Sequence, residues 1–297
     1  MQTNSIFKFV NFGVQIQSSH NITFDDNLVV GIEMRNFEAE SLVDPGAMVA
    51  VCAFLQGDIC TKLKITNNIL AGGQYNGLVA MGHDCDAVYV AEVKGNTQQI
   101  YNAWLSNLQY GNVVKDNVVH SVQGQCVTVF PDPGRPQHSQ CYEGSHMSVY
   151  KCTESGIYSY FPSGKLQYKS VTVMDSRFGV VPNLVGDDSS SMVYISDSKF
   201  IGELTVMKDC FTNDYCNNDP EHYLCIDKAA VLIPYTSTSG KVVFPRSATA
   251  FPLWAPSSEA SFYGKAEIFR VTFDRFQKAT TQCGKKQTIF AANPQGA

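Results

Sequence analysis

The amino-acid sequence predicts an all-β chain wound into a right-handed parallel β-helix with long inserted loops, and three observations carry that prediction. First, a short pattern recurs near residues 151–157, 172–178 and 194–200. In each copy an acid-serine pair (Glu154-Ser155, Asp175-Ser176, Asp197-Ser198) lies two residues after an apolar residue (Cys152, Val173, Ile195) and three before another (Ile157, Phe178, Phe200). The steps between the acids are 21 and 22 residues, too short for helix-pair repeats and suited to stacked solenoid coils. Second, the same columns continue toward the N-terminus once asparagine is allowed at the acid position. Asp26, Asn67 and Asp116 align, with Phe24, Ile65 and Val114 two before, Val29, Leu70 and Val119 three after, and Asn27, Asn68 and Asn117 in the next column. Third, Val171-Thr172-Val173 and Val193-Tyr194-Ile195 alternate with the period of a strand, whereas no long segment repeats with the period of a helix. An antiparallel sandwich would instead favour hairpin turns at spacings of about 8 to 12 residues.

Taken in order, Ile6 to Val10 and Phe12 to Ile16 read as strands already inside the solenoid, so capping sequence is expected beyond one end or both. The steps of 41, 49 and 38 residues that link Asp26, Asn67, Asp116 and Glu154 read as two coils each, with a loop inserted. Asn, Asp and Ser suit the corners because their short side chains bond nearby backbone. A second strand per coil is expected at Gly31 to Met34, Gly77 to Met81, Gln125 to Phe130 and Gly156 to Phe161, and one short helix near Thr97 to Leu108. From Glu203 the columns fade, and 203–262 reads as a cysteine-bearing excursion packed on the solenoid. Phe269 to Phe276 looks like a returning coil whose phase is off by one residue. All 297 residues are therefore expected in one solenoid domain.

The composition is that of a core-forming chain, 44% hydrophobic and 16% charged. A net charge of -5 without any dense basic run argues against a nucleic-acid role. Ten cysteines, Cys52, Cys60, Cys85, Cys126, Cys141, Cys152, Cys210, Cys216, Cys225 and Cys283, point to disulfides in an oxidising compartment. Their pairing is not legible from spacing. Asn21-Ile22-Thr23 is a glycosylation sequon beside a predicted strand. No apolar run reaches the length needed to span a bilayer, and no charged-then-apolar signal opens the chain, so an oxidising fold without a signal is expected to be a piece of a longer secreted or membrane-anchored protein.

The stretches Ile65-Thr66-Asn67-Asn68-Ile69-Leu70-Ala71-Gly72 and Gly77 to Cys85, with Asn112 to Val122 and Cys141-Tyr142-Glu143-Gly144, resemble the β-helical ectodomain of the fibrocystin and fibrocystin-L family. The resemblance covers residues 1–205, with a weaker echo at 264–293. It implies a pectin-lyase-like solenoid that serves as an extracellular scaffold in a large single-pass protein of cilia or other surface projections. Partners would be other surface proteins and glycans. A related branch, the cell-surface hyaluronidases, shares the repeat, so a glycan-cleaving hydrolase or lyase is the alternative. No catalytic motif of that branch matches residue by residue.

Three constellations, and one separate acidic group, carry candidate chemistry. The corner acids Asp26, Asp116, Glu154, Asp175 and Asp197 would stack about 5 Å apart if they pointed outward, close enough for paired acid/base work. Corner hydrogen bonding explains the same column without chemistry, since Asn67 occupies it too. The second constellation is a loop cluster. His83, Asp84 and Cys85 follow one predicted strand, and Asp132, Arg135, His138, Cys141, Glu143 and His146 follow another. From it come the alternative catalytic set Asp84, Asp132, His138 and Glu143, and a metal set of His83, Cys85, His138 and Cys141, over which a Cys85–Cys141 disulfide is preferred. Asp214, Asn217, Asn218, Asp219 and Glu221 form a candidate calcium group without EF-hand spacing. Third, Tyr158, Tyr160 and Phe161 on a strand, with Tyr142 and Trp104 in loops, are candidate sugar-stacking rings, with core packing as the simpler role.

Overall fold

The computed structural model describes residues 2–3, 5–8, 13–16, 19–32, 47–51, 62–74, 76–81, 83–84, 113–130, 140–159, 164–182, 192–202, 226–232, 235–236, 242–243, 265–276 and 286–291. These residues wind through successive coils of three strands. The first coil holds β1 (Gln2–Thr3), β2 (Ile6–Lys8) and β3 (Val14–Ile16), and the second β4 (Thr23–Asp25), β5 (Leu28–Val30) and β6 (Ala47–Val51). The third holds β7 (Lys64–Thr66), β8 (Ile69–Ala71) and β9 (Asn76–Met81), after which comes the short β10 (His83–Asp84). Then follow β11 (Val113–Lys115), β12 (Val118–His120) and β13 (Gln125–Phe130); β14 (Gln140–Ser145), β15 (Ser148–Tyr150) and β16 (Ser155–Ser159); and β17 (Gly164–Lys169), β18 (Thr172–Met174) and β19 (Phe178–Pro182). The next coil is β20 (Met192–Ser196), β21 (Lys199–Ile201) and β22 (Ile226–Leu232). A small hairpin of β23 (Tyr235–Thr236) and β24 (Val242–Val243) precedes the last coil, β25 (Lys265–Phe269), β26 (Thr272–Asp274) and β27 (Lys286–Ala291).

The strands of equal place in each coil pair in parallel into three sheets. We call the sheet that runs from β1 to β25 sheet A, the one from β2 to β26 sheet B and the one from β3 to β27 sheet C. Parallel pairing between the coils in all three sheets, with only the short β10 joining sheet A antiparallel, excludes the antiparallel sandwich, and the fold is a parallel β-helix. The core runs along the axis as ladders of like on like. Phe24, Ile65 and Val114 are register partners in sheet A, as are Val29, Leu70, Val119, Val149, Val173, Phe200 and Phe273 in sheet B. Most of these side chains are 0–3% exposed, and Phe200 stacks on Phe273 at 5.7 Å between ring centroids. One coil could not bury these residues alone.

The corner from sheet A to sheet B has the same length in every coil. Its first residue, Asp26, Asn67, Asp116, His146, Ser170, Asp197 or Arg270, has φ between 50° and 58°. That left-handed turn redirects the chain while keeping the ladder intact: from Asp26 to Asp197, each first residue's N–H donates to a carbonyl of the following coil. Asn and Asp adopt such values most readily among residues with a side chain. The second position carries a buried asparagine ladder. Asn27 Nδ2 donates to Asn68 Oδ1 at 3.0 Å and Asn68 Nδ2 to Asn117 Oδ1 at 2.9 Å, while the backbone N–H groups of Asn27 and Asn68 donate to the same oxygens. Each amide also donates to a strand carbonyl, Asn27 to Asp25 O, Asn68 to Phe24 O and Asn117 to Ile65 O and Lys115 O. Burying polar groups at 1–3% exposure is tolerable here because they are bonded. Ser198 plays the same part in a later coil, accepting from Val171 N and donating to Ser196 O.

The structure corrects several expectations about phase. Asp26, Asn67 and Asp116 belong to successive coils, since Phe24 pairs with Ile65 and Ile65 with Val114, so steps of 41 and 49 residues are one coil each. The acid-serine pairs at 154, 175 and 197 do not share a column. Asp197 lies at the corner from A to B and Asp175, with φ 46°, at the corner from B to C, where Ser121 and Lys151 are its counterparts; Glu154 directly precedes β16. Both corners place a left-handed residue between inward apolar residues, so one local pattern serves two places. The returning coil at Phe269 to Phe276 is in phase: Ile195 pairs with Ile268 and Phe200 with Phe273, and Arg270 occupies the corner position. Ile226–Leu232, inside the expected excursion, is a strand of sheet C bonded to β19 and β27. Gly31 and Ile32 form a corner, and the partner strand there is β6. The expected helix at 97–108 lies outside the described residues.

Candidate functional site

Two of the corner acids, Asp175 and Asp197, bond the next coil, and so does Asp25, the residue before the corner. Asp25 Oδ1 accepts from Asn67 Nδ2 at 2.9 Å and from the Thr66 hydroxyl, and these two donors hold its carboxyl below the usual value. Asp197 is engaged by Arg270 of the next coil through Nε and, at 2.9 Å, through Nη2, which likewise lowers its pKa. Asp175 pairs with Lys228, both almost fully buried, and so ties the corner of one coil to β22 of the next. Asp116 sits 3.5 Å from Lys115 at the surface. No row of outward carboxylates forms, since His146 follows Asp116 in the corner column and Glu154 stands elsewhere.

The loop cluster is brought together in its backbone. The first half of β14 extends past β11, and β10 takes the vacant place in sheet A, antiparallel, with His83 opposite Cys141 and Asp84 opposite Gln140. Of the alternative catalytic set, Asp84 is therefore placed beside the strand that carries Glu143, while Asp132 and His138 lie outside the described residues. So do Cys85, hence the proposed Cys85–Cys141 pair, the candidate calcium group at 214–221, Trp104, Tyr160 and Phe161. Among the described residues no group of three or more His, Cys, Asp or Glu side chains is placed to hold a metal.

Glu143 is half-buried on the outer face of sheet A, because its strand neighbours Tyr142 and Gly144 face the core. Burial raises its carboxyl pKa, against the opposing pull of Lys169 and His146. Its Oε2 is buried and has no hydrogen-bond partner. Gln167 of β17 is its register partner, followed by Tyr194 of β20 and Glu267 of β25. Gln167 is 0% exposed, and neither its Nε2 nor its Oε1 is bonded. Sequence reading singled out Glu143 but missed Gln167; only the register between β14 and β17 places them side by side.

Two candidate rings belong to the core. Tyr142 lies on β14 and not in a loop; it is buried 5.9 Å from the Tyr168 ring, and Gly144 leaves room for it, since an added Cβ would come within 3.2 Å of the Tyr142 hydroxyl. Burial and the neighbouring tyrosine push its pKa up. Tyr158 is 7% exposed on β16, so packing accounts for it. Asn21 of the sequon is exposed, just before β4. Among the ten candidate cysteines, Cys126 of β13 and Cys152 of the following coil form a disulfide inside the core. No helix among the described residues is long and apolar enough to cross a membrane. No family model matches the chain, and no curated protein is significantly similar to it.

Proposed function

We propose that the chain is a structural and adhesive β-helix module of a large extracellular or cell-surface protein, acting through protein and glycan contacts along its stacked faces. One observation carries the reading: of the corner acids that could face outward as a catalytic row, Asp175 and Asp197 are instead engaged by Lys228 and Arg270 of the next coil. The Cys126–Cys152 disulfide supports an oxidising compartment, and the resemblance to fibrocystin-type ectodomains supports a place at the surface of cilia or similar projections. Incubation of the purified chain with a panel of extracellular glycans should leave every member intact. Reproducible cleavage that Glu143→Gln abolishes would overturn the reading.

A glycan-cleaving hydrolase or lyase is the second reading. It is favoured by the half-buried Glu143, whose raised pKa suits a general acid, and by the antiparallel docking of Asp84 and His83 onto the same strand. Its test is the same incubation, with the opposite result.

A further inference from the structure

We propose that the two ends of the solenoid bind each other between copies, so that the last coil of one copy carries the first coil of the next and the chain associates head to tail. The contact uses the ends and not the stacked faces, and it stands independently of the adhesive reading above. All three sheets begin in one coil, β1, β2 and β3, and finish in another, β25, β26 and β27. Among the described residues each end therefore presents three strand edges side by side, each a template for a further parallel strand. The core is open at the same place. In the sheet C ladder that runs from Val14 to Phe290, the inner members Val49, Leu78, Ile157 and Val231 are 0–1% exposed, whereas Val14 is partly exposed and Phe290 is 51% exposed. Phe273, which Phe290 meets edge-on at 5.6 Å, is partly exposed too, although its partner Phe200 is buried. An apolar ladder is covered only by the next coil, and here the last coil has none above it.

The first coil carries what the last one lacks. Phe7 and Phe273 already share a column of sheet B, and so do Lys8 and Asp274. Extending sheet B by one step with β2 of a second copy therefore sets Phe7 in register beside Phe273 and Lys8 beside Asp274, while β3 sets Val14 beside Phe290. The Phe7 position continues the row in which Phe200 stacks on Phe273. Asp274 lies 3.6 Å from Lys199 of its own copy and its side chain is still 44% exposed, so a lysine in the next register place meets an acid open on one side. Acid and cation in adjacent coils is the arrangement that already links Asp197 to Arg270. The corners match as well, since two residues separate β1 from β2 and two separate β25 from β26. Ring beside ring and cation beside acid at identical register single out a second copy as the occupant. Such a contact joins one end to the other and leaves both outer ends free, so association grows without closing.

Sedimentation velocity of the 297-residue chain between about 1 μM and 1 mM tests the contact. The weight-average mass should rise with concentration and not level off at a dimer. Phe290→Asp should raise the concentration needed by about tenfold or more, with circular dichroism and Tm close to those of the parent, because half of that side chain is already exposed in the single copy. Lys8→Glu and Asp274→Lys should each weaken association severalfold by placing like charges in register. An equimolar mixture of these two variants should restore it, since each then meets the opposite charge on the other, a repair that no folding defect would show. A chain that stays monomeric throughout, that stops at a dimer, or that associates equally well with Phe290→Asp overturns the contact. A mixture that associates no better than its components overturns it as well. None of these results depends on whether the chain binds or cleaves glycans.

Discussion

Sheets B and C are built from the same coils, yet they face their surroundings differently. In sheet B, β5, β12, β15 and β18 each bury only the central residue of three, and Ile69 of β8 is 43% exposed. In sheet C, β6, β16 and β19 are buried along their whole length. The connections between the sheets differ as well. Every passage from A to B is a fixed two-residue corner such as Asp26-Asn27, while the long insertions leave the strands of sheet C or lead into them, at 31–46, 85–112, 131–139 and 202–225. Among the described residues sheet B keeps an open face, and the middle strands of sheet C are buried on both faces, whereas Gln15 of β3 and Phe290 of β27 are exposed at its ends. A sheet buried on one face alternates along its strands, and one buried on both does not.

Substitutions rank along that contrast. The largest effect is expected at Lys228 of sheet C: Lys228→Met removes the buried ammonium that pairs with the buried Asp175 carboxylate and should cost about 3–5 kcal/mol in urea unfolding. The double variant Asp175→Asn, Lys228→Met should recover much of that loss, and a double variant as unstable as the single one would show that packing and not charge matters at this place. Ile157→Ala in β16, at 0% exposure, should cost about 2–5 kcal/mol. The corresponding change on sheet B, Ile69→Ala, should stay within about 0.5 kcal/mol. Equal costs at the two positions would break the distinction between the sheets.

Effects between these two extremes are expected at the corners. Asn68→Ala removes an acceptor shared by two Asn27 donors and should cost about 2 kcal/mol or more by leaving buried N–H groups unbonded. Asn68→Ser should be milder, because serine already does this work at 198.

The pH dependence of stability carries two opposite signs. Asp25 and Asp197 have lowered values when folded, so their contribution is present above the unfolded value near 3.8 and fades as pH falls through the lower folded one. Glu143 is raised, so folding binds its proton, and stability falls as pH rises from its unfolded value of 4.5 through the folded one. Glu143→Gln should remove only the second slope, measured as Tm against pH.

How much was legible follows from the same geometry. Phe24, Ile65 and Val114, with Val29, Leu70 and Val119, could be aligned by eye because the corner between them never changes length. Coil counting failed because insertions of any length fall between sheets without disturbing that corner. Asp175 and Asp197 looked alike because both corners need a left-handed residue, and the ring of Tyr142 was misplaced because the start of β14 reads like loop. The pairing of Cys126 with Cys152, the burial of Lys228 against Asp175, 53 residues away in sequence, and the adjacency of Glu143 and Gln167 have no local signature at all.

The sequence alone thus determined the architecture: alternation supplies inward ladders, and Asn, Asp and Ser supply corners that a parallel coil requires at each turn. Tertiary structure decided the register, and with it which polar groups bond between coils and which remain unbonded. The physical reason is range. Strand alternation and corner conformation act within a few residues, whereas the coil-to-coil neighbour of a residue lies at whatever separation the insertions leave, from 22 residues between Ile6 and Leu28 to 73 between Asp197 and Arg270.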